Sequence, residues 1–280
     1  MQYIKNYNLE LYNKIIALKE SNKRTIIQKI IDKIKRYTEK SIVFPQKEVD
    51  EFINIACEYM NINKDEYYKI IEQFRAGELK LIENYENQNQ TDIFWFNVDK
   101  KFICVNIYAQ SNFYKSIYVV LSRLLTNNIT VLDYGCGTGL LAILLHKRFN
   151  FKKLVLLDID NYTAGFVKFY IEKTSSKEIV WEDILKYSSN ETFDFVQSLD
   201  VLEHLENSYE HLLKLDGIVR KGGLMALKIA FEAEDKTHLP QAAESFFVKN
   251  DGLDYLKQKY NMIKRFGYEQ LVNCVYKKRG

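Results

Sequence analysis

The sequence predicts an α/β protein: a doubly wound, mostly parallel seven-stranded sheet behind an N-terminal helical cap. Three observations carry this. From Phe113 onward, short apolar runs alternate with helical patterns of about a dozen residues. Three glycines crowd into five positions at the first strand-to-helix junction, in a chain with only eleven glycines among 280 residues. Before Phe113, apolar residues recur mostly at helical spacing.

The elements follow in order. Ile26, Ile27, Ile30, Ile31 and Ile34 form one apolar stripe on a Lys/Arg-rich helix. The chain turns at Pro45 and repeats the pattern with Val49, Phe52, Ile53, Ala56 and Met60. Asn63 or Asp65 caps a further helix through Tyr67, Ile70, Ile71 and Phe74, and another is expected over 78–85. The alternation in "IFWFNVDKKFICVNIY" reads as a hairpin turning at Asp99-Lys100. Polar Asn/Gln at 86–92 interrupt both patterns, which divides the chain into a cap, 1–90, and an α/β domain, 91–280.

Beyond that boundary, helices are expected over 112–126, 139–149, 161–173 and 206–220, and strands over 129–134, 153–158, 178–182, 193–198 and 224–230. Near-continuous apolar strands of this kind belong in a sheet covered on both faces. The last segment, "NMIKRFGYEQLVNCVYKK", gives two β-rich runs about a turn at Gly267, an antiparallel hairpin at the sheet edge.

Composition narrows the function. The apolar content of 47% fills a sizeable core, and a net charge of +3 announces neither nucleic acid nor a membrane surface. Residues 1–47 carry eleven Lys/Arg against four Asp/Glu, +7, which leaves −4 for the remainder; such a basic arm reads first as a solvated face. The cysteines at 57, 104, 136 and 274 show neither paired nor metal-ligand spacing, so reduced thiols and no metal are expected. No segment reaches the roughly 18 apolar residues of a membrane span, and the start has no signal-like run. The expectation is a cytoplasmic protein without a membrane partner.

The glycines lie in "TVLDYGCGTGLLA", residues 130–142. Glycine at a strand-to-helix turn permits sharp reversal and lets a ligand lie against the main chain. Gly135, Gly137 and Gly139 give G-x-G-x-G, which is neither the G-x-G-x-x-G of a dinucleotide loop nor a P-loop. Asp133 closes the strand. A carboxylate there gains nothing from a pyrophosphate, whereas an ammonium group would receive a charge-assisted hydrogen bond.

The stretch "VLDYGCGTG" resembles motif I of the class I S-adenosylmethionine-dependent methyltransferases, a Rossmann-like fold, and the resemblance extends in order over about residues 112–230. It implies that Asp133, Gly135, Cys136, Gly137 and Gly139 line the donor. It also implies that Asp158, with Ile159, holds the ribose hydroxyls at the end of "KLVLLDID". Asp183, with Ile184, in "VWEDIL" corresponds to the group that bonds the adenine amino group. Ser198, Leu199 and Asp200 in "SLDV" line the methionyl part, and Tyr114, among the aromatics before the first strand, covers it. The implied donor is S-adenosyl-L-methionine and the product S-adenosyl-L-homocysteine. Each acid also has a plain structural use: Asp133 capping turn amides, Asp158 capping the next helix, Asp183 closing a turn.

Methyl transfer needs orientation above all, and a base only if the acceptor must first lose a proton. "SLDV" lacks the Asn/Asp-Pro-Pro-Tyr/Phe signature of amine methylators, and no Pro-Cys nucleophile follows, which disfavours nucleic-acid bases as acceptors. The expected acceptor is an O or N atom of a small metabolite or peptide. His238, in the long loop after the fifth strand, is the candidate catalytic base or substrate contact. His204, near a helix start, reads as a residue that packs or orients the loop. The N-terminal helices are open to three uses: a lid, which is preferred, a homodimer surface, or a docking platform. Two rivals remain: a catalytically silent scaffold subunit, and an NAD-type oxidoreductase, which the glycine spacing and Asp133 disfavour.

Overall fold

The structure is a computed structural model that describes residues 2–21, 42–79, 95–231, 238–266 and 272–280. The stripe over 26–34, the 86–92 boundary and the turn at Gly267 fall outside them, as does all but the start of the helix expected over 78–85.

Helices α1 (Gln2–Tyr7), α2 (Leu9–Ser21), α3 (Gln46–Met60) and α4 (Lys64–Arg75) precede a bent pair, α5 (Lys100–Phe113) and α6 (Lys115–Leu124). Then follow β1 (Thr130–Tyr134), α7 (Leu140–Phe149), β2 (Lys153–Asp158), α8 (Tyr162–Thr174), β3 (Ile179–Asp183) and β4 (Phe193–Leu199). A 3₁₀ turn (Leu202–His204) leads to α9 (Ser208–Ile218) and β5 (Val219–Ile229). The chain closes with α10 (Pro240–Glu244), a π turn (Ser245–Lys249), α11 (Gly252–Lys259), β6 (Tyr260–Arg265) and β7 (Val272–Lys278).

One expectation is overturned here. Of the residues read as a hairpin about Asp99-Lys100, 100–108 form the start of α5. Asp99 is not a turn residue but the cap: its backbone is extended and its carboxylate accepts the Lys101 N–H at 2.8 Å. Ile103, Cys104 and Ile107 then fall on one buried face at helical spacing. Aromatic and β-branched residues before Asp99 gave a strand signal that the cap and this stripe outweigh. The next helix also breaks at Tyr114 instead of running over 112–126. Of the two caps weighed for α4, Asn63 is the one used, accepting the Glu66 N–H at 2.8 Å.

The sheet has seven strands in the order β3-β2-β1-β4-β5-β7-β6. The first five are parallel; β7 runs antiparallel between β5 and β6, which places the expected C-terminal hairpin at the edge. β5 begins earlier than expected, at Val219, and its pairing with β4 shifts register between Phe193 and Phe195, where Gly222 adopts φ +72°. The order reverses between β1 and β4, and ligands of open α/β sheets bind beyond the carboxyl ends at such a switch point.

Side chains alternate between two cores. Val131, Leu154, Leu156, Phe195 and Leu199 face one side, where α3, α4, α5, α7 and α8 pack. The Phe52 ring lies 5.2 Å from Phe166 and 4.9 Å from Tyr170, so α3 is sealed onto α8 by aromatic burial. Leu132, Val155, Leu157 and Val196 face the other side with α9, α10 and α11. Ile4, Leu11 and Ile15 of α1 and α2 are buried in that second core, and Tyr7 Oη donates to Glu244 at 3.0 Å. Among the described residues, no helix is long and apolar enough to cross a membrane.

Candidate active site

The glycine loop leaves β1 at the carboxyl end of the sheet. The amides of Gly135 and Cys136 both donate to the Leu157 carbonyl, at 2.8 and 3.0 Å, which ties the loop to the end of β2. The Gly137 N–H donates to Asp158 Oδ2 at 2.6 Å, and the Ile159 N–H to Oδ1 at 2.8 Å. Asp158 does not cap α8; Asn161 does, accepting the amides of Thr163 and Ala164. Each Asp158 oxygen therefore spends one bond on the backbone and keeps acceptor capacity for a hydroxyl pair.

From the other side the loop rests on α5. Asn106 Oδ1 accepts the Thr138 N–H at 3.0 Å and the Thr138 hydroxyl at 2.8 Å. Gln110 accepts the Leu141 N–H at 3.0 Å, donates to the Cys136 carbonyl at 3.2 Å, and donates to Asn106 at 2.9 Å. These two amides stand at i and i+4 on one helix face. Sequence reasoning missed both, because a hairpin reading of this segment conceals that spacing.

Two of the glycines are sterically obligatory. Gly137 has φ +55°, and a Cβ there would stand 2.8 Å from Asn106 Oδ1; at Gly135, φ +72°, a Cβ would collide with the Val201 side chain. Main chain, not side chain, is what the loop presents.

Asp133, Asp158 and Gln197 project from neighbouring strands onto the face of the first core, in register as Asp133↔Leu156 and Asp133↔Gln197. Burial pushes Asp133 up to about 7, with the Asp158 charge adding to the rise and a hydrogen bond from Gln197 opposing it. Burial likewise pushes Asp158 up to about 6, against the two amides that favour its ionised form. The site thus holds two desolvated carboxylates that repel each other beside a rim of backbone.

The other expected residues are distributed as follows. Cys136 is buried and its thiol is pushed well above its ordinary value by burial, so it is inert. Asp183 closes a turn with the Leu185 N–H at 3.0 Å and pairs with Lys186 at 2.8 Å; these contacts, Lys186 first, hold it below the ordinary carboxylate range. The neighbouring Ile184 N–H donates to the Asp158 carbonyl at 2.9 Å, bringing the β3 turn to the β2 turn. Leu199 faces the first core, whereas Ser198 points to the opposite face, where its hydroxyl finds no hydrogen-bond partner among the described residues. Tyr114 joins α5 to α6 and donates to Asp200 Oδ2 at 2.7 Å; Asp200 also pairs with Lys228 of β5. Asp200 holds φ +56° to make this turn.

The 3₁₀ turn after Val201 carries Glu203 and His204, and His238 meets them across the fold. Candidate ligand atoms of the three lie within 4.8 Å of one another. The His204 and His238 rings are 4.9 Å apart, and Trp95 packs edge-on against His204 at 4.9 Å. Glu203 is fully buried: Oε1 accepts the Ala230 N–H at 2.9 Å, and Oε2 has no hydrogen-bond partner among the described residues. A separate cavity of about 360 Å³, bounded by Leu124, Ile129, Arg220 and Lys277, lies at the amino ends of β1 and β4, away from all these groups.

The family described as "Methyltransferase domain" matches residues 108–272, more than half of the chain. The ribosomal protein L11 methyltransferase of Thermotoga petrophila is 34% identical over 122 residues, 40% of this chain and 46% of that protein. The malonyl-[acyl-carrier protein] O-methyltransferase 2 of Ilyobacter polytropus is 27% identical over 95 residues, 34% of this chain and 37% of that protein. The chain thus spans less than half the length of these curated relatives. Among solved structures, the N-methyltransferase NodS of Bradyrhizobium japonicum superposes with a TM-score of 0.44 at 20% identity, covering 61% of this chain and 99% of that one. The family match, which runs from α5 to the start of β7 and takes in the glycine loop at the switch point of the 3-2-1-4-5-7-6 sheet, places this chain in the methyltransferase domain family.

Proposed function

We propose that the chain transfers a methyl group from S-adenosylmethionine to an O or N atom of a small metabolite or peptide. The observation that carries the reading is the pair Asp133 and Asp158, two desolvated carboxylates behind a glycine rim. Such a pair is relieved by a ligand that brings cationic nitrogen and hydroxyl donors, and a pyrophosphate would aggravate it. The cradle also fits, because Gly135 and Gly137 leave main chain where side chains would stand.

In this reading Asp158 takes the ribose hydroxyls with the capacity its two amide bonds leave. Asp133 opposes the ammonium group from behind the loop. Asp183 and Ile184 border the adenine, and Leu199, Asp200 and Tyr114 border the methionyl end. The donor supplies a methyl group already activated on a sulfonium. What remains for the chain is to hold donor and acceptor in line and keep water out, which supplies roughly 7–11 kcal/mol of barrier reduction through proximity. His238 belongs to the acceptor side of the site. The helices before Trp95 serve as a lid. The names of the relatives cover a malonyl-[acyl-carrier protein], ribosomal protein L11 and ubiquinone biosynthesis, so the acceptor is assigned here only by class.

Calorimetric titration tests the donor. S-adenosylmethionine and S-adenosylhomocysteine should bind with micromolar affinity and NAD should not; Asp158→Ala should weaken the first two at least about tenfold, the loss of a charge-assisted bond pair. Binding of NAD alone would replace the reading with an oxidoreductase, and no binding of any would leave a scaffold.

A further inference from the structure

The fold assembles a cluster that no spacing in the sequence announces. Glu203 and His204 are adjacent on the 3₁₀ turn after β4, and His238 lies 34 positions on, held there by the Leu239 N–H, which donates to the Glu203 carbonyl at 2.9 Å. We propose that Glu203, His204 and His238 bind one divalent cation of the zinc, cobalt or manganese class.

The donor set is two imidazoles and one carboxylate, which suits borderline first-row ions and leaves coordination positions open. Glu203 gives the second, independent pointer. Its Oε1 is satisfied by the Ala230 amide, while Oε2 is wholly buried with no hydrogen-bond partner among the described residues. A buried carboxylate oxygen without a donor is costly, and proteins rarely retain one without use.

Geometry allows closure. Ligand atoms sharing one ion at about 2.1 Å stand roughly 3.4 Å apart in a tetrahedral site. The ligand atoms already lie within 4.8 Å of one another, so binding draws together groups that are close at the outset. His204 is supported by the Trp95 ring, which sets the plane from which it turns.

The location gives the ion a use. Val201, two residues before Glu203, lies against Gly135 of the glycine loop. The cluster therefore sits next to the expected donor site on the acceptor side, where an open coordination position would receive an oxygen or nitrogen of the acceptor. With the ion in place His238 is a ligand and not a free base. The proposal stands on the cluster itself and survives whether or not the donor is the one assigned above.

The test uses the full untagged chain, stripped of metal by dialysis against chelator, with cobalt(II) as probe and zinc(II) as competitor. One equivalent of cobalt per chain should bind with visible d–d absorption and be displaced by zinc, and the melting temperature should rise with added zinc. His204→Gln and His238→Gln should each weaken cobalt binding at least tenfold, whereas His146→Gln, remote from the cluster, should leave it unchanged. Far-UV circular dichroism checks that the variants are folded. Absence of the cobalt bands together with no zinc-dependent rise in melting temperature of the unmodified chain overturns the proposal. So does cobalt binding unaltered in both cluster variants. If one variant fails to fold, the other, with the melting shift of the unmodified chain, decides.

Discussion

The buried carboxylates make a signed claim about stability and pH. Burial carries Asp133 from its ordinary 3.8 to about 7. In the free protein the folded state therefore holds a proton on Asp133 over a range where the unfolded chain has lost it. Stability rises with pH where the unfolded state binds more protons; here the folded state binds more, so stability falls. The loss begins near pH 4, grows to about pH 7 and is complete above. Its full size is roughly 4 kcal/mol at 1.36 kcal/mol per pKa unit, with Asp158 adding a smaller share over pH 4–6. The assay is urea denaturation of the unmodified chain and of Asp133→Asn from pH 4 to 8.5. Asp133→Asn should match the unmodified chain near pH 4 and exceed it by a few kcal/mol at pH 8. Taking the difference removes the titrating groups that do not interact with Asp133, and leaves its coupling to Asp158 in the result. Equal stability at all pH values, or a variant weakened most at high pH, would refute the burial argument.

Two further predictions concern the loop. Gly137→Ala forces a left-handed alanine, costing about 1–2 kcal/mol, and drives its Cβ against Asn106, whose oxygen also serves Thr138 and Gln110; urea melts should show a loss of roughly 2–4 kcal/mol, and a loss under 1 would show the loop to be slack. Asn106→Ala strips two acceptor bonds from Thr138 without touching any group proposed to meet the donor; donor affinity should fall several-fold by calorimetry with the melting temperature lowered by a few degrees, roughly the effect of 1 kcal/mol, and unchanged affinity would detach α5 from the site.

The parallel half of the fold is legible because β1 to β4 are short runs, each ending within one residue of an acid, with helix-length segments between most of them. Tertiary context was not needed to place Asp133, Asp158 or Asp183 at strand ends. The C-terminal hairpin was legible for the same local reasons. Two things were hidden. Residues 93–108 mix a strand-like alternation with a capped helix, and only the burial of Ile103, Cys104 and Ile107 decides for the helix. With that misread, the brace formed by Asn106 and Gln110 had no face on which to be seen. The second is the set Glu203, His204 and His238. Its members come from a turn after β4 and a loop after β5, and β5 must lie beside β4 before they meet. Ser198 shows the reverse: its position in the strand was right, but the alternation of β4 sends its hydroxyl to the face away from the carboxylates.

The most direct test of the central claim is the proton count on donor binding. A cationic ligand settling against Asp133 and Asp158 must lower their affinity for protons, so binding should expel them where the free carboxyls are still partly protonated. Calorimetric titration with S-adenosylmethionine in buffers of differing ionisation heat, at pH 6.5 and at pH 8.5, measures this number. The account predicts net release of up to about one proton at pH 6.5 and, at pH 8.5, uptake of most of one by the donor's own α-amino group, which ordinarily titrates at about 7.7–8.0 and must be charged to meet Asp133. Proton uptake at pH 6.5, or binding with no proton exchange at either pH, would contradict it.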